Sequence, residues 1–211
     1  MREKIDVLLI NPGSRSAVYQ NLGAEFSAIE PPSLAALFAT YLQQLSQSVS
    51  IIDAPALELS PQDVAKIVCE DFDPVLVGLV VYGFQPSAST QNMTAAGETA
   101  RAIKDLRPDI KIMMTGTHPA ALPARTLMEE KVDFVCSGEG PRTITQTVVM
   151  LKGKRDDYGL VAGLYCRRGD LILNSAPAEL IPDLDDAMPN GAWNLLPMKK
   201  YRAHNWHAFE S

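Results

Sequence analysis

The chain has 211 residues, 46% of them apolar and 21% charged, with 25 acidic against 19 basic side chains and a formal net charge of -6. That balance belongs to one globular domain, with or without an appendage, and excludes a disordered, collagen-like or coiled-coil chain. A mildly acidic chain with no basic block also lacks the electrostatic footprint of a non-specific nucleic-acid or anionic-membrane binder.

Short apolar runs alternate with helical stretches along the first 150 residues. Val7-Leu8-Leu9-Ile10 is a continuous apolar strand that stops at Asn11-Pro12-Gly13-Ser14, a loop signal. Pro31-Pro32-Ser33 opens a helix whose Leu34, Leu37, Phe38, Tyr41, Leu42 and Leu45 recur at three and four. Residues 49–53 form a second strand. Ser60-Pro61 with Asp63 starts a second helix, faced by Val64, Ile67 and Val68. Residues 76–82 read as a strand covered on both faces, as central parallel strands are. A long helix over 89–106, a strand over 110–114, a helix over 123–130, a strand over 132–136 and a helix from Pro141 to about 151 complete five strand–helix units. Such alternation predicts a flavodoxin-like or Rossmann-like α/β domain, a doubly wound five-stranded parallel sheet over residues 1–152; the alternation does not give the strand order, for which 2-1-3-4-5 is the usual answer with five units. Residues 160–166 and 171–173 then predict a small β-hairpin turning at Arg167-Arg168-Gly169-Asp170, an appendage spanning 153–180. Residues 181–211 read as a Pro- and Asp-rich linker, followed by an aromatic, basic segment from Trp193 that either continues into something longer or folds back on the sheet.

Cys69, Cys136 and Cys166 lie far apart and form no CxxC or CxxxCxxC. A disulfide framework, a zinc site and a cysteine-ligated iron–sulfur cluster therefore lack their usual spacing, and the reducing cytoplasm is the expected compartment. No stretch approaches the ~20 apolar residues that span a bilayer. His204 and His207 lack a third metal ligand nearby.

In an open parallel sheet, ligands bind beyond the carboxyl ends of the strands. The loops there hold glycines at 13, 83, 116, 138 and 140 and hydroxyls at Ser14, Ser87, Thr115, Thr117 and Ser137. Glycine admits a ligand close to the backbone, and hydroxyls and free N–H groups bind phosphate and amide groups. His118 reads either as a ligand contact or as a ring tied to a neighbouring loop. Glu139 reads either as a ligand contact or as a carboxylate bonding the N–H groups of the helix at Pro141. There is no Gly-x-Gly-x-x-Gly, no phosphate-loop lysine, no Gly-x-Ser-x-Gly and no acidic pair at the first strand's end. A dinucleotide fold, a nucleotide triphosphatase, an α/β hydrolase and a phospho-receiver are thereby disfavoured.

Seven segments in order resemble the N-terminal cobalamin-binding domain of the B12-dependent (class B) radical S-adenosylmethionine enzymes. They are the opening strand through Asn11-Pro12, Glu30-Pro31-Pro32-Ser33-Leu34-Ala35-Ala36-Leu37, Ile51-Ile52-Asp53-Ala54, Thr115-Gly116-Thr117-His118-Pro119-Ala120-Ala121-Leu122-Pro123, Asp133-Phe134-Val135-Cys136-Ser137-Gly138-Glu139-Gly140, the hairpin and linker, and residues 189–201. Thr115 departs from that family's first glycine, and Pro141 from an acidic residue. The resemblance implies cobalamin on the rim of the sheet, held by Asn11, Pro12, Gly13, Ser14, Tyr82, Gly83, Phe84, Gly116, Thr117, His118, Pro119, Gly138, Glu139 and Gly140. The Asp-x-His-x-x-Gly that supplies a cobalt-ligating histidine elsewhere is absent. The implied state is therefore base-off, the nucleotide arm threaded beside the sheet and Tyr82 or Phe84 covering the lower face of cobalt. The resemblance further implies a radical S-adenosylmethionine domain as partner, in a parent enzyme that binds the [4Fe–4S] cluster and S-adenosylmethionine, methyl-transfer chemistry there, and no catalysis by this chain alone. Two other readings stand beside it: a degenerate domain that docks or shapes substrate without B12, and a flavodoxin-like binder of a nucleotide-sugar or flavin.

Overall fold

The computed structural model of the chain describes residues 1–13, 28–83 and 86–202. Ser14, Phe84, Gln85, His204 and His207 lie outside the described residues. Seven strands form one sheet of order β2-β1-β3-β4-β5-β6-β7. They are β1 (Glu3–Asn11), β2 (Val49–Asp53), β3 (Phe72–Val80), β4 (Ile112–Thr115), β5 (Phe134–Cys136), β6 (Leu164–Arg168) and β7 (Leu171–Asn174). The first five are parallel, in the order expected from sequence. The hairpin β6–β7 does not stand apart; β6 pairs antiparallel with β5, Cys136 opposite Leu164, and extends the sheet. Its two-residue turn carries Gly169 at φ 62°, the first loop position that a type II′ turn reserves for glycine.

The continuous apolar run in β1 is explained by the pleat. Leu8 and Ile10 point to one face, into a core with Val77, Leu79, Ile112 and Met114. Val7 and Leu9 point to the other, with Leu76, Val80, Met113 and Phe134. Helices α3 (Pro61–Asp71) and α4 (Pro86–Leu106) cover the first face through Val64, Val68, Ala96, Ala100 and Ile103. Helices α1 (Ser33–Gln44) and α7 (Pro141–Lys152) cover the second through Ala35, Phe38, Leu42, Ile144 and Val148. α3 begins in a complete capping box: Ser60 Oγ accepts from Asp63 N, and the Asp63 carboxylate accepts from Ser60 N.

Several elements differ from the sequence reading. β1 starts at Glu3 because its exposed first residues still pair with Phe72 and Asp73 of β3. β3 ends at Val80, two residues early, so Tyr82 lies in the loop that follows. Two of the loops contain one-turn helices, α2 (Ala54–Leu57) and α5 (Thr117–Ala121), each short enough to escape any periodicity, and α6 (Pro123–Glu129) follows where a helix is expected.

The carboxyl-terminal segment packs back onto the domain. Ala192 and Leu196 are buried in the α1/α7 core. Ala192 N donates to Ala36 O at 3.0 Å and Thr40 Oγ1 to Asn190 O at 2.6 Å. Ile29 and Arg202 form an antiparallel bridge. A further short helix, α8 (Leu184–Ala187), is capped by Asp183. All three cysteines are buried and free. No helix among the described residues is long and apolar enough to cross a membrane.

Candidate functional site

The carboxyl ends of β1 to β5 bring the sequence-derived site residues to one rim. At the β1–β2 side, Asn11 Nδ2 donates to Asp53 Oδ1 at 2.9 Å. Asp53 Oδ2 accepts from the Tyr201 hydroxyl at 2.8 Å, and the Ala56 N–H also donates to this carboxylate. Asp53 is only 1% exposed, and its donors are neutral. Burial therefore pushes its pKa up, although the bonds from Asn11, Tyr201 and Ala56 pull the other way. Burial and the neighbouring Asp53 together raise the Tyr201 phenol. Sequence reasoning placed Asp53 in a rim loop but did not join it to Tyr201, 148 positions away. Pro12 is buried and Gly13 half-buried beside Pro55.

The β3–β4 side is held by a relay of hydroxyls. Ser89 Oγ, fully buried, donates to Val81 O and accepts from His118 N. His118 Nδ1 shares a hydrogen bond with Thr90 Oγ1 at 2.9 Å. The imidazole is thus tied to a neighbouring helix, one of its two expected positions, while remaining half-exposed at the rim next to exposed Thr117 and buried Pro119. Asn92 Nδ2 caps the chain at Tyr82 O. Gly116, at φ 150°, lets β4 approach β3: a Cβ there would stand 2.0 Å from Val81 O. A Cβ on Gly83 would stand 2.3 Å from Ala88 Cβ. These glycines serve close approach of chain to chain.

The β5 side meets α1 and α7. Gly140, at φ 102°, faces Phe38 and Thr115: a Cβ on it would lie 2.8 Å from the Phe38 ring and 3.2 Å from Thr115 Oγ1. Phe38 packs edge-on against Tyr82, centroids 6.0 Å apart at 87°. The Thr115 hydroxyl is fully buried and has no well-formed hydrogen bond, although the Tyr82 phenol and the Cys136 thiol stand near it. Burial raises both the Tyr82 phenol and the Cys136 thiol, which keeps them neutral. Glu139 does not cap α7; its Oε2 accepts from Ile181 N at 2.7 Å and straps the following segment down, with Ala178 against Gly138 and Gly163. Beneath the strap, Glu139, Gly140, Arg142, Thr143, Ala178, Glu179 and Ile181 line a shallow crevice too tight to admit a water molecule. Among the described residues no group of His, Cys, Asp and Glu is placed to hold a metal ion.

The family model described as the B12 binding domain matches residues 20–148, ending within α7. The chain belongs to the B12-binding domain family. Within that family it is 31% identical over 198 residues to an uncharacterised methyltransferase of Pyrococcus horikoshii, a match covering 93% of this chain and 40% of that protein. It is 24% identical over 197 residues to the anaerobic magnesium-protoporphyrin IX monomethyl ester cyclase of Synechocystis sp., covering 92% of this chain and 37% of that one. The chain thus spans about 40% of the curated relatives' length. Among solved structures, the radical S-adenosylmethionine methyltransferase TsrM from Kitasatospora setae, with cobalamin and a [4Fe–4S] cluster bound, superposes with a TM-score of 0.63 at 18% identity, over 87% of this chain and 30% of that one. The cobalamin-dependent S-adenosylmethionine radical enzyme OxsB with aqua-cobalamin bound gives 0.65 at 16% identity, over 92% and 25%. These structural likenesses establish the shared fold of this B12-binding domain.

Proposed function

We propose that this B12-binding domain holds cobalamin on the rim described above, base-off, as one module of a longer radical S-adenosylmethionine enzyme of the cytoplasm. The observation that carries the reading is that the strand ends of a domain of the B12-binding family bring Asn11, Thr117, His118 and the backbone of Gly13, Gly83 and Gly138 to one rim. The donor set suits the cofactor. The corrin periphery is rich in amides, and the rim offers Asn11, Thr117, His118 and backbone groups of Gly13, Gly83 and Gly138 to them. When bound, cobalamin supplies a cobalt centre able to carry and release a methyl group. The chain's own residues position it: the Ser89–His118–Thr90 relay fixes the rim's central loop, and Asp53–Tyr201 fixes its edge. With Pro12-Gly13 following β1, no described histidine is placed to ligate cobalt from that loop, and the resemblance assigns the lower face to the loop after β3, of which Tyr82 and Gly83 are described. The relatives' greater length supports a radical S-adenosylmethionine domain as partner, which would carry the cluster and S-adenosylmethionine. Residues 1–152 then form the cofactor domain, 153–180 its sheet extension, and 181–211 the passage toward the partner.

The test is capture of hydroxocobalamin by the purified chain, followed by gel filtration and an absorption spectrum. Corrin absorbance co-eluting in a base-off form is the expected result. A folded protein that retains no corrin overturns the reading. One observation favours a second reading, a degenerate module that docks or shapes substrate: the rim glycines are met by Pro55, Ala88, Val81, Ala178 and Phe38 of the chain itself. Parallel titration with flavin and a nucleotide-sugar separates that module from a binder of another ligand.

A further inference from the structure

We propose that Asp53 is a positioning residue of the rim: it turns the Asn11 amide so that its oxygen meets the ligand, and this edge of the rim thereby selects a ligand group that donates an N–H, a primary carboxamide. The inference rests on the cobalamin reading of the same rim and adds Asp53, which is not among the contacts the resemblance implies. Asn11 ends β1 and Asp53 ends β2, and the two stand opposite each other in the parallel register. Partners in register project to the same face of a sheet, so both side chains lie on one side of the strand ends. There Asn11 Nδ2 donates to Asp53 Oδ1 at 2.9 Å. The other carboxylate oxygen, Oδ2, accepts from the Tyr201 hydroxyl at 2.8 Å, which fixes the plane of the carboxylate.

An asparagine amide has an oxygen that accepts and a nitrogen that donates, nearly equal in size, and without a neighbour to choose between them it fits either way round. Asp53 removes that choice. An ionised carboxylate only accepts, so the amide nitrogen must face it. Turning the amide over would set two oxygens against each other with no proton between them, beside a carboxylate only 1% exposed. The Asn11 oxygen is thereby held turned away from Asp53, on a side chain that is itself only half-buried. The second Nδ2 hydrogen stays available to an acceptor. What completes Asn11 is a group that donates to its oxygen and accepts from its nitrogen, and a primary carboxamide can do both. A carboxylate or an ester only accepts and leaves Oδ1 unmet. The corrin periphery carries primary carboxamides, so Asn11 reads one of them in a fixed sense.

Hydroxocobalamin, and the corrinoids in which one of its primary amides at a time is replaced by a methyl ester, are titrated by absorbance into the wild-type chain, Asp53→Asn and Asn11→Ala. The ester is as neutral as the amide but has no N–H. The wild type is expected to bind one of these esters about fivefold or more weaker than hydroxocobalamin. The side chain introduced by Asp53→Asn can donate as well as accept, so Asn11 is free to turn and the gap should close to within about twofold. Asn11→Ala leaves no amide to orient and should close it as well. Asp53→Ser, whose hydroxyl also donates and accepts, repeats the test should Asp53→Asn fail to fold. A merely structural role for Asp53 would weaken all the corrinoids together and leave the gap in place. Equal binding of hydroxocobalamin and every ester by the wild type, or a gap that survives in the folded variants, overturns the inference alone. A folded wild-type chain that binds none of the corrinoids overturns the cobalamin reading and the inference with it.

Discussion

The two ends of the sheet solve the problem of buried polarity in opposite ways. At the amino-terminal end of the strands, charge meets charge. Asp133 accepts from Lys104 at 2.7 Å and Lys111 at 3.0 Å, and also from Ile112 N. Arg107 pairs with Asp73 and Asp109, and Asp6 with Lys152 and Ser48 N. At the carboxyl-terminal end, the buried Asp53 has only neutral donors, Thr115 has no well-formed bond, and two glycines take positive φ. The base is built to hold, and the rim keeps unspent polar capacity. That asymmetry is what a ligand-binding α/β domain requires: its stability comes from one end and its chemistry from the other.

The largest expected effect tests what the rim's glycines are for. Gly116→Ala places a Cβ 2.0 Å from the Val81 carbonyl at a φ of 150°. Neither the oxygen nor its strand can yield cheaply, so the cost is roughly 3–5 kcal/mol, at the severe end for one substitution. A thermal melt of the ligand-free protein should fall by on the order of 10 °C or more. If the variant melts normally and loses only ligand binding, the glycine serves the ligand directly, and chain-to-chain approach is not its reason.

A smaller effect, of opposite sign at the two ends, comes from two carboxylates. Burial pushes Asp6 up, but the Lys152 ammonium and the Ser48 donors outweigh it and leave the pKa below the ordinary 3.8. Its contribution to stability is present above that value and lost as pH falls through the lower folded value. Asp53 is raised above 3.8 by burial. Its folded state binds the proton more tightly, so the associated stability is full below the ordinary value and lost as pH rises through the folded one. Asp6→Asn should therefore lower the urea midpoint at pH 7 and leave it little changed near pH 3. Asp53→Asn should flatten the decline above pH 4 and leave neutral-pH stability equal or higher. A neutral-pH loss for Asp53→Asn as large as for Asp6→Asn would remove the contrast between the ends.

The scaffold was legible because its signals are local. β1, β3 and β4 announce themselves as apolar runs, α3 by Ser60-Pro61 and Asp63, and the hairpin by Gly169; the strand order is not itself encoded in any local signal, and the observed one is the usual order for five such units. The site was legible only as a set of loops. Glycines at the rim suggested open backbone, but Gly83 and Gly116 prove to be filled by Ala88 and Val81, which no spacing discloses. Phe38 read as one more residue on an apolar helix face, because its partner Gly140 lies 102 positions on. Glu139 gave no sign of its bond to Ile181, nor Asp53 of its bond to Tyr201, since side-chain pairs between distant segments leave no periodic trace.

The smallest effect probes whether the carboxyl-terminal segment belongs to the rim or merely lies on it. Tyr201→Phe keeps the ring, which packs against the α1/α7 core, and removes only the hydroxyl that donates to Asp53 Oδ2. A single intramolecular hydrogen bond is worth about 1 kcal/mol, and Asn11 and Ala56 still serve the carboxylate. The global melting temperature should therefore move by only about 2–4 °C. The local consequence is larger than the global one. Between Leu196, buried in the core, and Arg202, bridged to Ile29, the phenol makes the one side-chain hydrogen bond of residues 197–201 among the described residues. Limited proteolysis near Lys199 and Lys200 should accelerate several-fold in the variant while cleavage elsewhere stays at the wild-type rate. Equal cleavage in both proteins would mean that apolar packing alone seats the segment, and that the buried carboxylate at the edge of the rim is held for something other than the chain's own end.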